Sequence, residues 1–260
     1  MTARAAGVAS GAVTDPSVLA APVSLRLAWW GTSWLRGAVV PDLVLDAVIG
    51  DEATHAVAGL DEGGPTETLL GGLARLRAAG ATGLGLALPR EGDPLGLGGP
   101  AGFNAAAIEA GEAVVVAGAG VGLVPGATGA ATTWVVHPAG RRQLPDVGEA
   151  DRGLRAALIE TATSLAALDV ARWRPEVADR LMDLRHGPRL TGPDGVPARC
   201  VELAARGVQA VDIVDLALED HGGAVSAAEI LVREEALRPL ERAGRRALVA
   251  AGSPEVWPPA

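Results

Sequence analysis

The sequence predicts an α/β fold, a mostly parallel sheet flanked by helices, followed by an all-α C-terminal region. Three observations carry this. Between residues 24 and 146, candidate strands and helices alternate with short connections, the signature of right-handed strand–helix–strand units. The candidate strand at 112–117 is built on Val114, Val115 and Val116, an unbroken apolar run of the kind buried on both faces of a parallel sheet. After Asp146 the strand pattern stops, and apolar residues recur at alternating intervals of four and three. The expected divisions are a disordered tail at 1–23, an α/β domain at 24–146, a helical domain at 147–252 with a Pro/Gly linker near 186–197, and a tail at 253–260.

Each element has a local reason. Residues 24–36 hold three of the six tryptophans, Trp29, Trp30 and Trp34. They read either as a platform for a flat ligand or, at a spacing of four, as anchors pinning this segment onto the domain. Pro41 suits a first helical turn, where its missing N–H costs nothing, and Gly50 suits the end of that helix. Residues 54–60 form a strand candidate with His55 half-exposed. Leu69, Leu70, Leu73 and Leu76 mark the buried face of a helix over 65–79, followed by a strand at 82–88. Asn104 is expected to cap the next helix, with Phe103 before it packing on Ile108 as a hydrophobic staple. Gly111 closes that helix. Residues 113–136 carry no charge and are long enough to span a bilayer. Their glycines and Pro125 instead predict two strands joined by a glycine-rich loop.

In the second region Leu154, Leu158, Thr161, Leu165 and Leu168 mark one long amphipathic helix. Pro175 opens another, with Val177, Leu181 and Leu184 on one side. Two short helices are expected at 198–206 and 208–218, separated by a turn at Gly207. Ser226 and Glu229 form a capping box for the last helical run, which Pro239 is expected to kink or divide.

Composition excludes several chemistries. The chain has 260 residues, a formal charge of −9, and no lysine or tyrosine. Without lysine there is no P-loop lysine, Schiff base or Ser–Lys dyad. The acidic balance argues against nucleic acid as a partner. One cysteine, Cys200, excludes an intrachain disulfide and a Cys–Cys zinc site. It reads as a buried thiol. Heavy use of alanine, glycine, arginine and valine points to the GC-rich coding of high-GC bacteria. A cytoplasmic, soluble protein without a membrane partner is the expectation.

Two stretches imitate dinucleotide fingerprints. Gly118, Gly120 and Gly122 follow a strand, but a strand and not a helix comes next. Gly96 and Gly98 precede a helix of only about two turns. Ligands of open parallel sheets bind at the carboxyl ends of strands. That rule gathers Arg90 and Asp93 after one strand, Gly118, Gly120 and Gly122 after the next, and His137, Arg141 and Arg142 after the last. Paired arginines suit a carboxylate or phosphate, with Asp93 or His137 as weak candidates for a general base. Asp212, Asp215 and Glu219 share a helix face near His221, which reads as a solvated acidic surface, and His186 sits in the linker. No metal site is assigned and no motif identifies a cofactor. The leading reading is a non-catalytic domain that binds a small ligand or a partner protein. The alternative is an enzyme acting on an anionic small molecule at the strand-end loops.

Overall fold

The computed structural model describes residues 21–167, 190–219 and 227–259. In chain order the elements are α1 (Val23–Leu35), α2 (Pro41–Ile49), β1 (Thr54–Ala58), β2 (Glu67–Thr68), α3 (Leu69–Ala78), β3 (Gly83–Ala87) and α4 (Ala101–Ala110). There follow β4 (Ala113–Ala117), β5 (Val121–Thr128), β6 (Ala131–Pro138), α5 (Val147–Ala167), α6 (Ala198–Glu219), α7 (Ala227–Ala251) and a 3-10 turn at Pro254–Val256. Several expectations fall outside the described residues: the tail before residue 21, Leu168, the helix from Pro175, His186 and His221, and the cap at Ser226.

The architecture is α/β with a helical C-terminal region, but the sheet is mixed and mostly antiparallel, not mostly parallel. Its order is β2-β1-β6-β5-β4-β3, and only the pairing of β1 with β6 is parallel. The reason lies after β3. Gly96 touches Ala87 at the end of β3, Phe103 reaches Gly122 in β5, and Gly111 returns to Arg90 beside β3. The loop before α4 therefore carries the chain away, and α4 brings it back to the end it left. β4 starts opposite Ala87 and runs the other way. The uncharged stretch holds three strands and not two: β5 occupies the expected loop. Pro125 is tolerated there because β4 pairs β5 only as far as Leu123, so its missing N–H breaks no ladder on that side.

Other local departures have equally concrete causes. Residues 23–35 form a helix, with Trp29 buried and its indole N–H donating to the carbonyl of Ala251 at 3.0 Å. α4 begins at Ala101, three residues before Asn104, whose Oδ1 accepts from the Gly99 N–H. Phe103 lies under Gly122, where any Cβ would sit 2.4 Å from its ring. Gly111 does close α4, in the left-handed conformation (φ 78°) that side chains resist. α6 is continuous through Gly207, which lets α7 approach so closely that Gly207 and Gly244 face each other's carbonyls. α7 is likewise continuous through Pro239, an exposed position where the ring meets solvent. Asp146 caps α5, accepting from the N–H groups of Gly148 and Glu149 at 2.9 and 3.0 Å. Those bonds hold its carboxyl below the usual range.

One face of the sheet carries Leu84, Leu86, Val114, Val116, Leu123 and Trp134 into a core shared with α1, α3, α5, α6 and α7. The other face is covered by α4 in a smaller cluster of Ala87, Phe103, Ala107, Val115 and Val124. β3 is an edge strand, yet its outer backbone groups are engaged. The Thr32 hydroxyl donates to the Leu84 carbonyl and accepts the Leu84 N–H, and the Leu86 N–H donates to the Gly252 carbonyl. An edge closed in this way cannot template pairing with another chain.

Candidate functional site

Strand direction divides the expected site in two. β4 and β6 both run antiparallel to β5, so they point the same way and their following loops share an edge. Gly118, Gly120, Arg141 and Arg142 line one cavity of about 400 Å³ there, with Val115 in its floor and Glu255 in its wall. β3 points the other way, so Arg90 and Asp93 lie at the opposite edge. Gly122 is inside β5 beneath Phe103 and lines no part of this cavity. His137 pairs with Gly122 in β6 and sits 6.2 Å from the Phe103 ring, also outside the lining.

The two adjacent arginines are chemically unlike. The Arg142 side chain is 4% exposed. Its Nη1 donates to the carbonyls of Leu86 (2.7 Å) and Gly96 (3.3 Å), its Nη2 to Ser253 Oγ, and its Nε and Nη2 to Glu255. It crosses β3 over Gly85, where even a methyl group would collide with the guanidinium. Burial pushes its pKa down and the Glu255 carboxylate pulls it back up. Every nitrogen is engaged, so Arg142 ties β3 to the segment after α7. Arg141 is exposed and, among the described residues, is the one charged group of this lining with no opposite charge beside it.

At the other edge the candidate base is similarly engaged. Asp93 accepts from Arg245 Nη2 at 2.9 Å, and Arg245, 5% exposed, also donates to the Leu88 carbonyl and to Glu241. Asp93 thus docks the loop after β3 onto α7. Arg90 donates to the carbonyls of Pro89 and Gly111 and lines a separate cavity of about 310 Å³ with Glu112, Asp212 and Asp215. Burial, reinforced by the neighbouring Asp215 charge, pushes the Asp212 carboxyl up to about 6. Among the described residues no three His, Cys, Asp or Glu are placed to hold a metal ion. The Glu219 side chain and His221 lie outside the described set.

Two buried residues are central to packing, His55 against the expectation and Cys200 in line with it. His55 is buried, not half-exposed: Trp134 Nε1 donates to its Nδ1 at 3.2 Å, so the proton sits on Nε2, which faces Glu52 at 3.2 Å. Burial, helped by the Arg26 charge, lowers its pKa against the opposing pull of Glu52. Cys200 is buried, and burial pushes its thiol up to about 11, which removes it from nucleophilic chemistry. Sequence reasoning missed Arg245 and Glu255 altogether. Their partners are 152 and 113 residues away, a separation at which no local pattern operates.

Known proteins resemble both parts of the chain. Residues 24–148 match the model of the Rv1486c-like protein, N-terminal domain, and residues 148–249 that of the Rv1486c-like protein, C-terminal domain. The chain is 29% identical over 293 residues to the uncharacterized protein Rv1486c of Mycobacterium tuberculosis (strain ATCC 25618 / H37Rv), covering 90% of this chain and 98% of the relative. It is 26% identical over 300 residues to the uncharacterized protein ML1804 of Mycobacterium leprae (strain TN), with the same coverage. No solved structure matches. With both parts matched in their natural order, the chain is similar to Rv1486c-like proteins over most of its length.

Proposed function

We propose that the protein is a non-catalytic binding protein that holds a small anionic ligand between the loops after β4 and β6. The observation that supports this is the convergence of Gly118, Gly120, Arg141 and Arg142 on one cavity of about 400 Å³. Arg142 and Glu255 neutralise each other and form a fixed wall. Arg141 supplies the charge, and its guanidinium fork matches a carboxylate or phosphate. The turn at Gly118 and Gly120 brings backbone, without side chains, to the cavity's rim. Proton transfer by Asp93 or His137 finds no support, since neither lines the cavity and Asp93 is held by Arg245. No helix among the described residues is long and apolar enough to cross a membrane. A lone buried thiol suits a reducing compartment, so the cytoplasm is the proposed location.

Thermal denaturation against a panel of small carboxylates and phosphates tests the reading. A ligand at about 100 times its Kd adds about 2.7 kcal/mol, which raises Tm by several degrees. Arg141→Ala is expected to abolish the shift while leaving the unliganded Tm in place. A panel in which nothing shifts Tm, or a shift that survives in Arg141→Ala, overturns it.

A further inference from the structure

A wider concavity lies elsewhere, between α5 and α7, with a volume of about 720 Å³. Gly153, Ala156 and Ala157 of α5 leave its α5 side without bulk, and Arg238, Arg242 and Arg246 of α7 form a row along the other. From these charges we infer that the groove docks an acidic helical segment of a partner protein, by a surface independent of the cavity after β4 and β6.

The positive charge of this groove is local. The chain carries a net −9, yet this groove holds three arginines against Glu160 and Glu235. Arg242 is 62% exposed and Arg246 39%. Their internal partners are loose: Arg242 Nε is 3.6 Å from Asp93, and Arg246 Nη2 is 3.9 Å from Glu149. Both are beyond hydrogen-bond distance, and exposed pairs of that kind contribute little to stability, so a partner displaces them cheaply. Pro239, also in the lining, has no N–H. The carbonyl of Glu235 therefore lacks the N–H donor that residue 239 would ordinarily supply.

Spacing selects a helix. The arginines stand four residues apart, about 6 Å along the axis at each step. Carboxylates at i, i+4 and i+8 of a second helix repeat at that interval, and the small residues of α5 leave room for its backbone to approach. Glu160 and Glu235 select against nucleic acid: a continuous polyanion meets both, whereas a helix can place a cation or a small residue opposite them.

A fluorescein-labelled alanine-based helical peptide with Glu at i, i+4 and i+8, its Gln counterpart, and single-stranded oligo(dT) are the probes, read by anisotropy with the full chain. The Glu peptide is expected to bind, to weaken at least tenfold against the Arg238→Glu, Arg242→Glu double variant, and to weaken as salt rises. Thermal denaturation of that variant is expected to match the parent, since both side chains are exposed. An unfolded variant is replaced by Arg238→Gln alone, for which a threefold loss is expected. Absence of binding, equal binding of the Gln peptide, an undiminished affinity in the variants, or tighter binding of oligo(dT) overturns the inference.

Discussion

The cavity after β4 and β6 and the groove between α5 and α7 are both lined by arginine, but the arginines do different things. Arg142 is buried, its nitrogens are all engaged, and Glu255 cancels its charge. Arg242 and Arg246 are exposed and touch their acidic neighbours only loosely. Arg245, between them in sequence, turns inward and behaves like Arg142. Charge alone therefore identifies no site. What separates a structural arginine from a recognition arginine is whether its donors already have partners and whether water reaches it.

Removing the helical region tests this distinction most severely. A chain ending at residue 148 leaves the Leu25, Leu84 and Leu86 face without α6 and α7, and is expected to show no cooperative urea transition. A cooperative transition in that fragment would show that the sheet stands alone. Next in size are the two buried arginines. Arg142→Ala or Arg245→Ala strands buried carbonyls and a carboxylate, and is expected to lower stability by about 3–5 kcal/mol, as read from urea midpoints. Arg141→Ala is expected to stay within about 0.5 kcal/mol of the parent in the same measurement. A destabilisation of Arg141→Ala comparable with that of Arg142→Ala would erase the distinction.

Acidity gives a smaller and opposed pair of effects. His55 is held neutral in the fold, so the unfolded chain binds more protons. Its contribution is present above the ordinary histidine pKa and is lost as pH falls through that range toward the lower folded value. His55→Gln, whose amide oxygen can take the Trp134 N–H, is expected to flatten that loss in urea midpoints between pH 7 and 5. Asp212 has the opposite sign. Its folded pKa of about 6 lies above the ordinary carboxyl value of 3.8, so its relative stabilisation is complete below the unfolded value and lost as pH rises through about 6. Asp212→Asn is expected to gain about 1 kcal/mol at pH 7, a figure reduced for its partial exposure, and to lose that gain by pH 4. A gain that persists at pH 4 would assign it to something other than the carboxylate.

The readable parts of this fold were those set by neighbours in sequence. The leucines of α3, the valines of β4 and the αL stop at Gly111 each follow from a few adjacent residues. Strand direction did not, because it depends on where Gly96 and Phe103 land, on contacts with Ala87 and Gly122 that no periodicity encodes. Gly207 reads as a turn for a similar reason: a glycine that lets two helices touch and a glycine that ends one look alike until the second helix is placed. The candidate site divided along the same line. Gly118, Gly120, Arg141 and Arg142 came together because β4 and β6 are parallel to each other in either kind of sheet. Arg90 and Asp93 separated because β3 is reversed.

Cys200 gives the shared core a clock. It sits at the start of α6 with no exposure, in the cluster that joins the sheet to the helices, and its thiol is held protonated up to about pH 11. A thiol reagent can modify it only when that packing opens, and no second cysteine competes for the label. Labelling rates against urea or temperature therefore time the parting of the two regions residue-specifically, from the inside, without adding a probe to the chain.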